Sequence, residues 1–152
     1  MCKEIRIIIL IVGFINLVYG QAYVGTILVV NNGGVFKVSS NALVVGGSGE
    51  VNNSGVVEVD YSYINNGVTR GGVVGQGLFK IGGDWINNNE FTAYFSKIHL
   101  YNSERLISGS EITHFDELKL TGGSKVMTID ASVYLLDLGS DHLMTKENIM
   151  LV

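Results

Sequence analysis

Asp60 and Asp84 lie one spacing of 24 apart in this chain, and Glu90 and Glu111 lie 21 apart. Paired carboxylates are the equipment of glycoside hydrolysis, which needs two carboxyl groups held roughly 5–10 Å apart across the scissile bond. Such pairs meet that demand only if the backbone returns on itself about once per interval, since stacked strands sit about 4.8 Å apart. Neither pair has a basic or metal-binding companion at matching spacing, so solvated surface acids are the plainer reading. His99, His114 and His142 follow one another at irregular spacing, with no H-x-x-x-H or C-x-x-C pattern, which argues against a metal site. Gly71, Gly72, Gly75 and Gly77 lack the Gly-Lys-Ser/Thr ending of a phosphate loop and read as corner glycines. Neither a G-x-S-x-G elbow nor calcium-binding nonapeptides occur. The expectation is a chain without catalytic residues, cofactor or metal. The remaining chemistry is aromatic: Trp85, the only tryptophan, with Tyr61 and Tyr63, could stack on the apolar face of a sugar ring. Tyr94 and Tyr101 could extend such a face, but tyrosine is also an ordinary strand residue.

The elements that would position these residues are short strands. Of the residues, 47% are apolar and 16% charged; there are 20 glycines and no proline. That excludes a disordered chain, which would be richer in charge and poorer in Val, Ile and Leu. Val, Ile, Thr, Tyr and Phe gather in short runs, such as Ile27–Val30, Ala42–Val45 and Val56–Val57, separated by Gly and Asn. Asparagine pairs begin at 31, 52, 65 and 87, in steps of 21, 13 and 22. Two steps near 21 and one near half of it predict a coil of about 21 residues with more than one corner per turn. Asn31, Asn32, Asn52, Asn53, Asn65, Asn66, Asn87 and Asn88 are then corner residues. Asparagine tolerates left-handed backbone, and its amide can bond the Asn of the next turn. The competing architecture is an antiparallel β-sandwich with Asn-Gly hairpins. Runs that are apolar throughout, rather than alternating, favour strands buried in parallel stacks.

Residues 1–20 read as a separate object. Lys3 and Arg6 precede an apolar stretch, Ile7–Val18, that is short for a bilayer span, and Val18-Tyr19-Gly20 offers a cleavage site. Cleavage after Gly20 removes Lys3, Glu4, Arg6 and Cys2, the only cysteine, and leaves 8 basic and 13 acidic residues, a net charge of −5. Packing rather than disulfides must then hold the domain together. The acidic balance argues against nucleic acid as a partner.

The second half carries a family resemblance. Gly83, Trp85, Asn87, Asn88 and Phe91, then Ile98 and Leu100, then Ile107 and Gly109, then Phe115, Leu118 and Leu120 follow a pattern G-x-W-x-N-N-G-x-F, V-x-F-x-G, I-x-G, F-x-x-L-x-I. This resembles the repeat of large secreted β-helix proteins of Bacteroidota-type bacteria, over roughly residues 44–145. Asn89 stands where that family has Gly, and Tyr101-Asn102 replaces its Phe-x-Gly. The resemblance implies a surface adhesin, matrix component or stalk, with Trp85 in core or corner packing, and it implies no activity.

The sequence therefore predicts an all-β, right-handed parallel β-helix of about six coils over residues 21–152, behind a signal peptide at 1–20. The apolar ending Ile149–Val152 makes the chain read as the N-terminal part of a longer protein. The expected role is exported, secreted or cell-surface, structural and adhesin-like, with no membrane span in the mature chain and no nucleic acid partner. Extracellular polysaccharide or another surface protein is the expected partner. The alternative is a carbohydrate-binding or polysaccharide-degrading β-helix module.

Overall fold

A computed structural model describes residues 11–12, 15–18, 21–72 and 76–145, with side chains from Gln21 onward. The described part is all strand and turn. Strands β3 (Gln21–Val24), β4 (Ile27–Val30) and β5 (Val35–Val38) form the first coil, and β6 (Ala42–Val45), β7 (Glu50–Asn53) and β8 (Val56–Val59) the second. The third holds β9 (Tyr63–Asn65), β10 (Val68–Gly71) and β11 (Leu78–Ile81), and the fourth β12 (Trp85–Asn87), β13 (Phe91–Thr92) and β14 (Lys97–Leu100). The last two coils have two strands each, β15 (Arg105–Gly109) with β16 (Thr113–Leu120), then β17 (Lys125–Met127) with β18 (Ala131–Asp137). β19 (Leu143–Thr145) starts another turn.

Every strand pairs with its counterpart one coil away, which builds three parallel sheets. Sheet A runs β4-β7-β10-β13, sheet B runs β3-β6-β9-β12-β15-β17-β19, and sheet C runs β5-β8-β11-β14-β16-β18. The protein is thus a parallel β-solenoid of about six coils. Asn65-Asn66-Gly67 joins β9 in sheet B to β10 in sheet A, so it is a corner and not a hairpin. Among the described residues, antiparallel pairs occur only before the first coil, where β1 (Ile11–Val12) joins β4 and β2 (Ile15–Val18) joins β3. The rest of the predicted signal peptide and the apolar end Ile149–Val152 lie outside the described residues.

The uneven asparagine spacing has a simple origin. Val30 registers with Asn53, and Asn53 with Gly71, at the end of sheet A. Val45 registers with Asn65, and Asn65 with Asn87, at the end of sheet B. The pairs at 31 and 52 therefore turn the chain from sheet A into sheet C, and those at 65 and 87 turn it from sheet B into sheet A. Each of the two longer steps is one full coil along one corner; the short step passes between corners.

One aspect of the sequence reading needs correction. The apolar runs differ in burial: Ala42–Val45 keeps Leu43, Val44 and Val45 all buried, whereas Ile27–Val30 and Val56–Val57 bury one face only. Most strands bury alternate side chains, Val57 and Val59 inward, Val56 and Glu58 outward, because each coil packs mainly against the interior it encloses. Ile27 and Val35 belong to such outward rows and stay about half exposed.

The inward rows form registered columns. Leu43, Tyr63, Trp85, Ile107 and Met127 stack down sheet B. Val57, Phe79, Ile98 and Leu118 stack down sheet C, and all of these residues are fully buried. Each such side chain contributes roughly 1.5–3 kcal/mol. The cross-coil ion pairs outside are screened by solvent and add little, so the columns hold the fold together.

Sheet A ends at β13. In the next two coils one long strand, β16 and then β18, covers the ground that two strands covered before. The ladder between them is interrupted where Asp116 faces Tyr134. That interruption is the former corner between sheets A and C.

Candidate functional site

The residues that the sequence nominated fall into three settings. Trp85 and Tyr63 are in the first: both have no exposed surface. Their rings stack in neighbouring coils, with centroids 5.1 Å apart and planes at 8°. Phe91 stands edge-on to Trp85 at 5.0 Å, and Phe79 and Phe115 complete the cluster at 6.1 and 5.9 Å. Both are therefore core residues with no face open to a sugar. Burial pushes the Tyr63 hydroxyl well above the ordinary phenol range, despite a 2.8 Å hydrogen bond with Thr69 Oγ1.

Thr69 continues inward to the asparagine corner. Its hydroxyl donates to Asn65 Oδ1 at 3.1 Å, and Asn65 Nδ2 donates to Asn87 Oδ1 at 2.8 Å and to the Glu90 carbonyl at 2.9 Å. Asn66 and Asn88 repeat the bond outside, Nδ2 of Asn88 donating to Oδ1 of Asn66 at 2.8 Å. Below Asn87 the ladder stops at Gly109, whose φ is 140° and whose Cβ, were there one, would strike the Asn87 carbonyl. The network satisfies the buried amides of Asn65 and Asn87. Its role is to fix the corner.

Charged residues form the second setting. On sheet C the outward column Lys37, Glu58, Lys80, His99, Lys119, Asp137 runs one residue per coil. Glu58 takes Lys37 at 2.5 Å and Lys80 at 3.5 Å, and Lys119 pairs with Asp137 at 2.7 Å. The Lys37 hydrogen bond, with Lys80 nearby, holds the Glu58 carboxyl below its usual range. On sheet A, Arg70 sits between Glu50 at 2.5 Å and Glu90 at 3.3 Å. Asp60 accepts from the Tyr101 hydroxyl at 3.2 Å and lies 3.8 Å from Lys37. Asp84 accepts from the Leu106 amide at 3.0 Å. The four carboxylates that sequence spacing had paired therefore have different roles, Glu90 in an ion pair and Glu111 exposed at a turn. Among the described residues, no three His, Cys, Asp or Glu side chains converge.

Exposed aromatic rings are the third setting. Tyr61 is 55% exposed at the corner between sheets C and B, over a polar concavity of about 440 Å³ with Asp60, Asn102 and Arg105. The larger group lies at the A–C corner of coils four to six. There Tyr94 is 47% exposed, Phe95 68% and Tyr134 90%. Tyr94, His114, Asp116 and Tyr134 line a shallow concavity of about 480 Å³ floored by Phe91 and Phe115. Of these rings, Tyr94 is a sequence candidate, and Phe95 and Tyr134 are not. A signal was available: Ala93–Ser96 carries two adjacent rings, whereas the earlier A–C corners, Asn31–Gly34, Ser54–Gly55 and Gly72–Gly77, carry none.

No family model matches this chain, and comparison with curated proteins and with solved structures finds no match.

Proposed function

We propose that this chain is an exported, non-catalytic β-solenoid that projects or scaffolds at the cell surface, in the manner of an adhesin or matrix protein. The observation that carries the reading is the use of the outward charges. The sheet-face lysines, Arg70 and their carboxylate partners bond from coil to coil and extend the stack, while none of the nominated acid pairs faces a common cleft. Six coils at the strand spacing make a rod about 30 Å long, a unit suited to spacing and display. Lys3, Arg6, the apolar stretch Ile7–Val18 and the site after Gly20 support export.

Expression of the whole chain in a Gram-negative host, with fractionation and N-terminal sequencing, tests it. The expected product starts at Gln21 outside the cytoplasm. Intact chain beginning at Met1 and confined to the cytoplasm would overturn the export reading. A second reading, a carbohydrate-binding module, is favoured by the exposed rings at the A–C corner.

A further inference from the structure

We infer that the A–C corner of coils four to six is a binding site for a neutral polysaccharide, with Tyr94 and Tyr134 as stacking platforms and Asp116 and His114 as hydroxyl partners. The inference does not depend on where the protein is sent.

Exposure is the first ground. A single surface aromatic needs no explanation, but here Tyr94, Phe95 and Tyr134 share one corner, with Leu135 53% exposed beside them. Nothing in the core requires them, since Phe91 and Phe115 already close the interior behind.

Backbone strain is the second. Ser96 N–H donates to the Ala93 carbonyl at 2.9 Å, which closes a tight turn with Tyr94 at φ 48°. That region suits Gly or Asn and is costly for a bulky ring. Elsewhere among the described residues positive φ falls on glycines such as Gly33, Gly122 and Gly139 and on one other residue with a side chain, Glu104. A tyrosine held there, with its ring turned to water, is strain placed where binding is the gain.

The third ground is the order of the groups. The corner offers Tyr94 in coil four, Asp116 in coil five and Tyr134 in coil six, with His114 beside Asp116. Two strand spacings separate the tyrosines, about 10 Å, a span that takes two sugar rings of an extended chain. Pyranose rings present C–H faces to aromatic rings and hydroxyls at their edges, which is the alternation found here. Asp116 makes no ion pair or side-chain hydrogen bond with the described residues, so its carboxylate is available to accept two hydroxyls. His114 is exposed and bonds through Nδ1 to Ser132 Oγ at 2.6 Å, which orients the ring and leaves Nε2 for the ligand. Asp116 and the chain's net charge of −4 select a neutral glycan over an anionic one.

The test is affinity electrophoresis of the whole chain in gels containing hydroxyethyl cellulose, with alginate as the anionic control. Hydroxyethyl cellulose should retard the protein and alginate should not. Tyr134→Ala should weaken retardation roughly tenfold, the effect of one lost aromatic contact, with the thermal midpoint unchanged because the ring is almost wholly in solvent. Tyr94→Gly should weaken binding similarly while raising the midpoint, since glycine relieves the positive φ. Binding and stability moving in opposite directions is a result that a merely structural Tyr94 cannot give. Absence of retardation, equal retardation by alginate, or retardation unaffected by both substitutions would overturn the assignment. So would a Tyr134-dependent dimer in sedimentation velocity without glycan binding, which would assign the corner to a second copy.

Discussion

Replacing Trp85 gives the sharpest test of the core, because two substitutions there should separate two opposing terms. The side chain is fully buried and touches four rings, Tyr63, Phe79, Phe91 and Phe115, in its own and neighbouring coils. Trp85→Ala loses the transfer energy of the ring and leaves a cavity, about 3–5 kcal/mol. The four ring contacts place it at the upper end, near 5 kcal/mol, since aromatic pairs are worth about 0.5–1.5 kcal/mol beyond area burial. A domain stable by about 5–15 kcal/mol loses a third or more of its stability. Trp85→Phe behaves differently. It gives up part of the ring, but it also removes the indole Nε1–H, a buried donor without a partner among the described residues. Such a donor costs about 1–3 kcal/mol, so its removal offsets part of the packing loss and the net loss is about 1–2 kcal/mol. Urea unfolding followed by far-UV circular dichroism measures both. A Phe variant as unstable as the Ala variant, or an Ala variant within about 1 kcal/mol of the parent, would refute the reasoning.

Two further outcomes follow from the corner and from the charged face. Asn65→Ala removes the acceptor of Thr69 and the donor to Asn87 and Glu90, and it should cost about 3 kcal/mol, against less than about 1 kcal/mol for Asn66→Ala on the outside. His99, facing Lys80 on β11, Lys119 on β16, Lys97 on its own strand and Asp137 on β18, is held below the usual imidazole range, first by burial and then by Lys119, Lys80 and Lys97. The folded chain then resists protonation that the unfolded chain accepts, so stability falls as pH drops below about 6.5 and levels off below the folded pKa. His99→Gln, which can still reach Thr121 Oγ1, should flatten that slope in thermal melts between pH 4 and 7.

Architecture was legible in the sequence because the corners demand particular residues. Buried, amide-bonded corner positions such as Asn53, Asn65 and Asn87 leave little choice, so the coil length is written in their spacing. The same logic places Trp85 inside without the family resemblance. Tyr63 stands two positions before Asn65, and Trp85 two before Asn87, so both rings share the strand phase of those buried asparagines and point the same way. A period that marks a corner marks a core column too. The outward rows were less readable, since Val35 and Ile27 are apolar and yet about half exposed, and hydropathy alone gives them no face. The aromatic corner was hardest to find. Tyr94, Asp116 and Tyr134 meet only because sheet A ends at β13 and the coils then shorten, and the local sequence does not announce that change.

The central claim is that residues about one coil apart lie side by side on parallel strands. Ile64 and Ile86 occupy one register position on β9 and β12, both facing outward. In a Cys2→Ser background, Ile64→Cys with Ile86→Cys should close an intramolecular disulfide on mild oxidation, because neighbouring strands bring the Cα atoms to about 5 Å. Mass spectrometry should find that cross-link, while a control pairing Ile64→Cys with Thr92→Cys, on a different sheet, stays reduced. Two free, reactive thiols at 64 and 86 in the folded protein would contradict the solenoid.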